Sequence, residues 1–246
     1  MKEIDFRLSE SPDLDNPVFI EGLPGVGNIG RLAAIHLINV FGGRKFGEML
    51  STSFPHQVKN RPDGTLRLMK NELYYTMAPV NMILLTGDMQ PMPTDFKSHY
   101  AMASEILELC RKFGVGLIIA VGGYALGEEI DGDRKVFAGA SNKDVARRYQ
   151  DSGYQLLTDD PGTPIVGVSG LLPAMSDDID SICLLGQTTG EMKPDLDAAS
   201  AVLKVISSIT GVEIDLDEIS NAAESIEREM DDIMRRIERV ERMRPE

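Results

Sequence analysis

Gly25, Gly27 and Gly30 stand in G-x-G-x-x-G spacing inside VFIEGLPGVGNIG, residues 18–30. Glycine tolerates positive φ and close backbone approach, and amides opening a helix there would suit a phosphate, so the spacing could hold a dinucleotide. Glu48 lies about where such sites place a ribose-binding acid, although Gly42 and Gly43 break the intervening segment. No Gly-Lys-Ser/Thr follows, which excludes a P-loop. Ser169 in GVSGL sits where a nucleophile elbow would need glycine at 171, and the chain has Leu171. His36, His56 and His99 are in no metal-ligand spacing, and Cys110 and Cys183 offer no zinc pair. The acids of EEIDGD (128–133) and DDID (177–180) could take a divalent cation through oxygen, or be solvated turns. From the residues alone we therefore assign no catalytic residue, no cofactor and no metal.

The elements that would position these groups read as an α/β domain. Val18 to Ile20 is a short strand feeding the glycine turn, and 29–40 is apolar at so many positions that it predicts a helix buried on more than one side, with His36 packed inside it. Residues 44–87 read as strand-rich and partly antiparallel: 45–50, 53–59, 65–70, 73–77 and 82–86, with Asp63-Gly64 as a hairpin turn. Thr94 or Asp95 caps a helix to about Phe113, Asn142 caps a basic helix, and KPD caps a helix over 195–210. GLIIAVGG (116–123) is a strand of the type buried on both faces, and it ends in Gly122 and Gly123. Strands are also expected over 136–140, 165–169 and 182–185, with GVSGLLP as a second glycine-marked strand end. Residues 1–17 read as a surface lead-in. The expected fold is a mostly parallel sheet flanked by helices, with an antiparallel hairpin insertion, over 1–211. Loops after Gly30, Thr86 and Gly122 would share one rim, where open α/β sheets bind.

The last segment, 212–246, reads as a helical extension. Leu216, Ile219, Ala223, Ile226, Met230, Ile233, Ile237 and Val240 recur at alternating spacings of three and four, with charged residues between them. So narrow an apolar stripe must pack on something: the body, the 195–210 helix or another copy. A subunit contact is favoured, which assigns oligomerisation to Ile219, Ile226, Met230, Ile233, Ile237 and Val240.

Composition narrows the partners. A net charge of −14 and an isoelectric point near 4.7 over 246 residues argue against nucleic-acid backbones and anionic membranes. No apolar run reaches membrane-span length, and MKEIDFRLSE has no signal-peptide core, so a cytoplasmic location is expected, with the two cysteines as buried thiols of a reducing compartment.

Taken together, GLPGVGNIG (22–30), VGGYALGE (121–128), GVSGLLP (167–173) and LLGQTTGEMKPDLDAASAVL (184–203) resemble the successive signatures of the proteasome assembly chaperone family, archaeal branch. The resemblance implies a phosphorylase/hydrolase-like α/β fold working as an oligomeric, non-catalytic chaperone that holds proteasome subunits, alone or with a paralogous chaperone. It implies no nucleotide and no metal. Such chains have also carried an ATP-grasp label, but the lysine pair and acidic metal ligands of that chemistry are not recognisable here. Members that dock on the assembled core particle often end in a hydrophobic residue, tyrosine and one more; this chain ends Arg244-Pro245-Glu246. The rim residues expected to grip a polypeptide are Pro24, Gly25, Val26, Gly27, Asn28, Gly122, Gly123, Tyr124, Ser169, Gly170, Leu171 and Leu172. The competing expectation is an enzyme acting on a nucleotide or other phosphate-bearing ligand. It would need convergent polar side chains in the crevice.

Overall fold

The computed structural model describes residues 2–157, 164–191, 193–228 and 230. Its centre is set by four apolar runs that lie side by side: β2 (Val18–Glu21), β7 (Met82–Gly87), β8 (Leu117–Ala125) and β11 (Asp180–Thr188), all parallel in the order β7-β2-β8-β11. These runs are apolar at successive positions because both faces are covered. Ile20, Met82, Leu84, Ile119 and Val121 enter one core, and Phe19, Ile83, Leu85, Ile118 and Ala120 the other. Helices α1 (Ile29–Val40) and α5 (Leu196–Thr210) cover the first face, while α2 (Phe96–Lys112) and α4 (Val168–Met175) cover the second. The caps fall where hydroxyl and amide chemistry places them: the side chains of Asp95, Asn142 and Asp195 accept amides opening α2, α3 (Lys143–Arg148) and α5.

The parallel centre carries antiparallel wings. On one side β6 (Asn71–Thr76), β3 (Arg44–Ser51) and β1 (Ile4–Leu8) continue the sheet antiparallel; on the other, β9 (Val136–Ala140) is antiparallel to β11, with β10 (Gln155–Leu156) beside it. The expected hairpin insertion is thus mostly a wing of the main sheet. Only β4 (Val58–Asn60) and β5 (Leu66–Leu68) form a separate two-stranded ribbon, closed by Asp63, which accepts the Thr65 amide, and by Gly64 at φ 81°. Within 1–17, read as lead-in, β1 pairs Ile4 with Ser51 and Leu8 with Gly47, its Ile-Asp-Phe-Arg-Leu alternation matching an edge strand.

The largest correction concerns 165–173. The strand expected over Ile165 to Ser169 is absent: Gly167, at φ 101°, opens α4, and GVSGLLP is a helix start. A short apolar run carries no period that separates strand from helix, and here Val168 and Leu172, four apart, bury one helical face in the second core.

Close approach of α1 to the sheet depends on glycine. A Cβ on Gly30 would lie 2.5 Å from the Val121 carbonyl oxygen of β8, so backbone meets backbone. Gly30→Ala is expected to cost about 1–3 kcal/mol by overpacking, read as a lower urea midpoint with an unchanged m-value.

Residues 219–228 are helical, and Ile214, Ile219, Ala222, Ala223 and Ile226 join the core made by α1 and α5, with Met230 packed against it. The His36 ring Nε2 is 2.6 Å from the Asp215 carbonyl oxygen, which ties this segment to α1. Ile219 and Ile226, assigned to a subunit contact, are therefore covered by the chain's own body. The expected seam residues Ile233, Ile237 and Val240 lie outside the described residues.

Candidate functional site

A cleft of about 630 Å³ opens at the C-terminal ends of β2, β7 and β8. Its walls are the β2–α1 turn (Leu23, Pro24, Gly25, Val26, Asn28), the segment from Asp88 to Pro93, the end of β8 (Val121 to Ala125) and the start of α4 (Gly167, Ser169). The sheet order puts three chain crossings beside one another, so the rim expected from the glycine-marked strand ends is there. Pro24, Gly25, Val26, Asn28, Gly122, Gly123, Tyr124 and Ser169 all line it.

Four expected rim residues do not line the cleft. The Gly27 amide donates to the Glu191 carbonyl at 3.1 Å, and its own carbonyl accepts the Asp195 amide, which fixes the turn to the β11–α5 loop. Leu172 is in the second core, Leu171 packs against that core, and Gly170 sits so close to Ile165 that a Cβ would meet it at 2.6 Å. A helix turns its residues through 100° steps, so α4 presents Ser169 to the cleft and turns the next three away.

This geometry answers the chemistry that the spacing suggested. Gly27 and Asn28, which stand at φ 64° and 49°, have amides already donating to Glu191 and Gly25. One of these amides ties the turn to the β11–α5 loop and the other closes the turn on itself, so both are already engaged. Glu48 lies on β3, separated from β2 by β6 and β7, and it is bonded to Lys45 and Lys70. Ser169 Oγ donates to the Val121 carbonyl at 3.3 Å, and the His99 ring, also on the cleft wall, bonds the Asp95 carbonyl. The hydroxyl is thus held against the β8 backbone, beside the buried Glu21 carboxyl. Of the acidic runs, Asp178 pairs with Arg111 and Asp180 with Arg148. Cys110 and Cys183 are free and buried.

Two residues of this site were not anticipated. Gln90 joins two walls: its Nε2 donates to the Pro24 carbonyl at 2.9 Å and its Oε1 accepts the Val168 amide at 3.1 Å, filling the role of a cap for α4. Glu21, the last residue of β2, is fully buried below the cleft. One carboxyl oxygen accepts the Leu23 amide at 3.1 Å, and the other has no partner. Burial pushes this carboxyl up to about 7, against the Leu23 amide, the Ser169 hydroxyl and the Val121 backbone, which favour the charged form. The sequence did carry a signal for Glu21: an acid ending an apolar strand just before a glycine turn. Gln90, in a proline-flanked loop, carried none.

Exposed apolar side chains stand at the mouth and on the helix beside it. Met92 and Val166 are exposed on its edge, and Phe96 and Tyr100 project from the neighbouring first turns of α2, Phe96 at 73% exposure.

Comparison with known proteins places this architecture. The family model of the PAC2 family matches residues 19–234. The chain belongs to the PAC2 family. An uncharacterised protein of Methanocaldococcus jannaschii is 34% identical over 230 residues, spanning 93% of this chain and 87% of its own. Among solved structures, Pyrococcus furiosus PbaB, described as an archaeal proteasome activator, superposes with a TM-score of 0.84 at 37% identity, over 97% of this chain and 100% of its own. PbaA from the same organism, described as an archaeal homolog of proteasome-assembly chaperone, gives 0.74 at 26% identity, over 98% and 95%. The motif resemblance and the PAC2 match agree, and the ATP-grasp label finds no support among these matches. Among the described residues, no helix is long and apolar enough to cross a membrane.

Proposed function

We propose that this chain is a non-catalytic protein of proteasome assembly or activation that binds proteasome subunits through the cleft rim. The likeness to PbaB along the whole chain carries this reading. It is supported by a rim built of glycine, proline and exposed apolar side chains, the surface type that excludes water from a protein contact. The net charge of −14 selects basic client surfaces and repels acidic ones.

The chain works in the cytoplasm as a homo-oligomer or with a paralogous chaperone. Since Ile219 and Ile226 lie in the core and Met230 packs against it, self-association falls to the remaining seam residues Ile233, Ile237 and Val240. Met230 touches the rim, its sulfur accepting from the side-chain Nδ2 of Asn28 at 3.4 Å.

The full chain, mixed with purified archaeal proteasome α and β subunits, is expected to form a complex on native gels. Faster appearance of assembled core particle would identify an assembly chaperone; faster peptide hydrolysis by preassembled particles would identify an activator, as the likeness to PbaB favours. Val166→Asp combined with Phe96→Ala, both at exposed positions, is expected to weaken binding about tenfold or more while leaving the unfolding midpoint unchanged. No complex, with unchanged assembly and hydrolysis rates, would overturn the proposal.

A further inference from the structure

Strand β1 ends the main sheet, with β3 on one side and, among the described residues, no strand on the other. Which of its backbone groups are open follows from the ladder to β3. The Thr52 amide donates to the Glu3 carbonyl at 3.1 Å and the Ser9 amide to the Phe46 carbonyl at 2.8 Å. In an antiparallel pair such residues alternate, so Asp5 and Arg7 also turn their amides and carbonyls to β3. Those of Ile4, Phe6 and Leu8 point outward, and no hydrogen bond among the described residues engages them. An edge of this kind is a template for a further strand.

The side chains say which strand fits. Ile4, Phe6 and Leu8 turn to the second core, but only Ile4 is buried; Phe6 and Leu8 remain half-exposed. Asp5 and Arg7 stand on the opposite face, where Arg7 Nε donates to Asp5 Oδ2 at 3.1 Å and the Arg7 side chain is 60% exposed. Read backwards, Ile-Asp-Phe-Arg-Leu keeps its apolar ends and aromatic centre and exchanges acid for base. Antiparallel pairing of two copies performs that reversal.

Hydrogen bonds form only in registers that set outward groups against outward groups. Centred on Phe6, the ladder joins Ile4 to Leu8 of the second copy, Phe6 to Phe6 and Leu8 to Ile4, which engages every open N–H and C=O of the strand. In the same register Asp5 lies directly opposite Arg7 at both non-hydrogen-bonded pairs, the positions where side chains approach most closely. The neighbouring registers fail on charge. Centred on Asp5 the ladder sets Asp5 against Asp5, and centred on Arg7 it sets Arg7 against Arg7.

We propose that β1 is an interface between two copies of this chain, whose main sheets join antiparallel across a two-fold axis centred on Phe6. The contact is self-complementary, as a two-fold interface must be, and it covers the half-exposed Phe6 and Leu8 of both copies. It goes beyond the proteasome reading, uses none of the cleft rim, and is a second self-contact separate from the C-terminal seam.

The test is amide hydrogen exchange of the full chain, followed by NMR at low and high protein concentration. We expect the amides of Ile4, Phe6 and Leu8 to gain protection as concentration rises, while those of Asp5 and Arg7, already bonded to β3, hold theirs throughout. Asp5→Arg and Arg7→Asp each set like charges opposite one another, so each variant alone should need about tenfold more protein for the same protection. Mixed in equal amounts, the two variants are complementary to each other and should regain it. Sheet pairing with wild-type concentration dependence in either lone variant, or a mixture no better than its components, would overturn the proposal. So would outward amides whose protection ignores concentration in the wild type, or appears only when proteasome subunits are added, which would give the edge to a client.

Discussion

Glu21→Gln is expected to stabilise the protein by about 3 kcal/mol at about pH 8 and to flatten its stability profile from about pH 5 upward. The folded carboxyl titrates at about 7 and the free one at 4.5, because the folded state buries it with one oxygen unpartnered. Between these values the folded chain holds a proton that the unfolded chain has released. Stability therefore falls as pH rises through this window, and the loss is complete above the folded value. Glutamine keeps an oxygen for the Leu23 amide and replaces the unpartnered oxygen with a donor beside the Ser169 hydroxyl and the Val121 backbone. Urea midpoints of both proteins across the range decide it. A flat wild-type profile together with no gain in the variant would show that the carboxyl is satisfied in solution.

Asp88→Asn is expected to cost about 3 kcal/mol or more near neutral pH, since removing one member of a buried pair leaves its partners' charge unneutralised. Burial by itself would raise this carboxyl, yet the bonds from Arg67, Lys59 and the Lys70 amide outweigh it and hold it at about 2, below its usual 3.8. The stabilisation is present above the usual value and is lost as pH falls through about 2, the opposite direction to Glu21. Asp88 also anchors the β4–β5 ribbon. Lys59 and Arg67 project inward to it, while Val58, Leu66 and Leu68 are exposed on the opposite face. In the variant, residues 58–68 should be cleaved by protease well before the rest of the chain. Unchanged midpoint and cleavage pattern would show that the ribbon is held by something else.

The opposing slopes place maximal stability on the mildly acidic side. Both carboxyls sit beside a strand end of the parallel centre, and both are buried. They differ because Asp88 meets three donors from residues 59, 67 and 70, whereas Glu21 meets backbone and a hydroxyl.

Local signals carried much of the fold. The apolar runs of β7, β8 and β11, the glycine turn before α1, and the caps Asp95, Asn142 and Asp195 depend on neighbours in sequence, and they appear where expected. The signature segments marked the PAC2 family for the same reason, and Pro24 to Val26, Gly122 to Tyr124 and Ser169 came together because parallel strands end on one side. The antiparallel wings were only partly legible. Which strand lies beside β3 or β9 is a pairing between distant residues, and the helix at GVSGLLP was decided by the second core that Val168 and Leu172 enter.

By itself the sequence determined an acidic α/β chain with a glycine-lined rim and an apolar seam near its end, because period, composition and turn chemistry are local properties. Tertiary structure alone decided that the first part of the seam closes over α1 and α5, that Glu21 is fully buried, and that Arg31, Arg67, Lys70 and Thr86 line one recess. Burial and charge balance depend on what lies across the gap, and a linear pattern is the same whichever surface it meets.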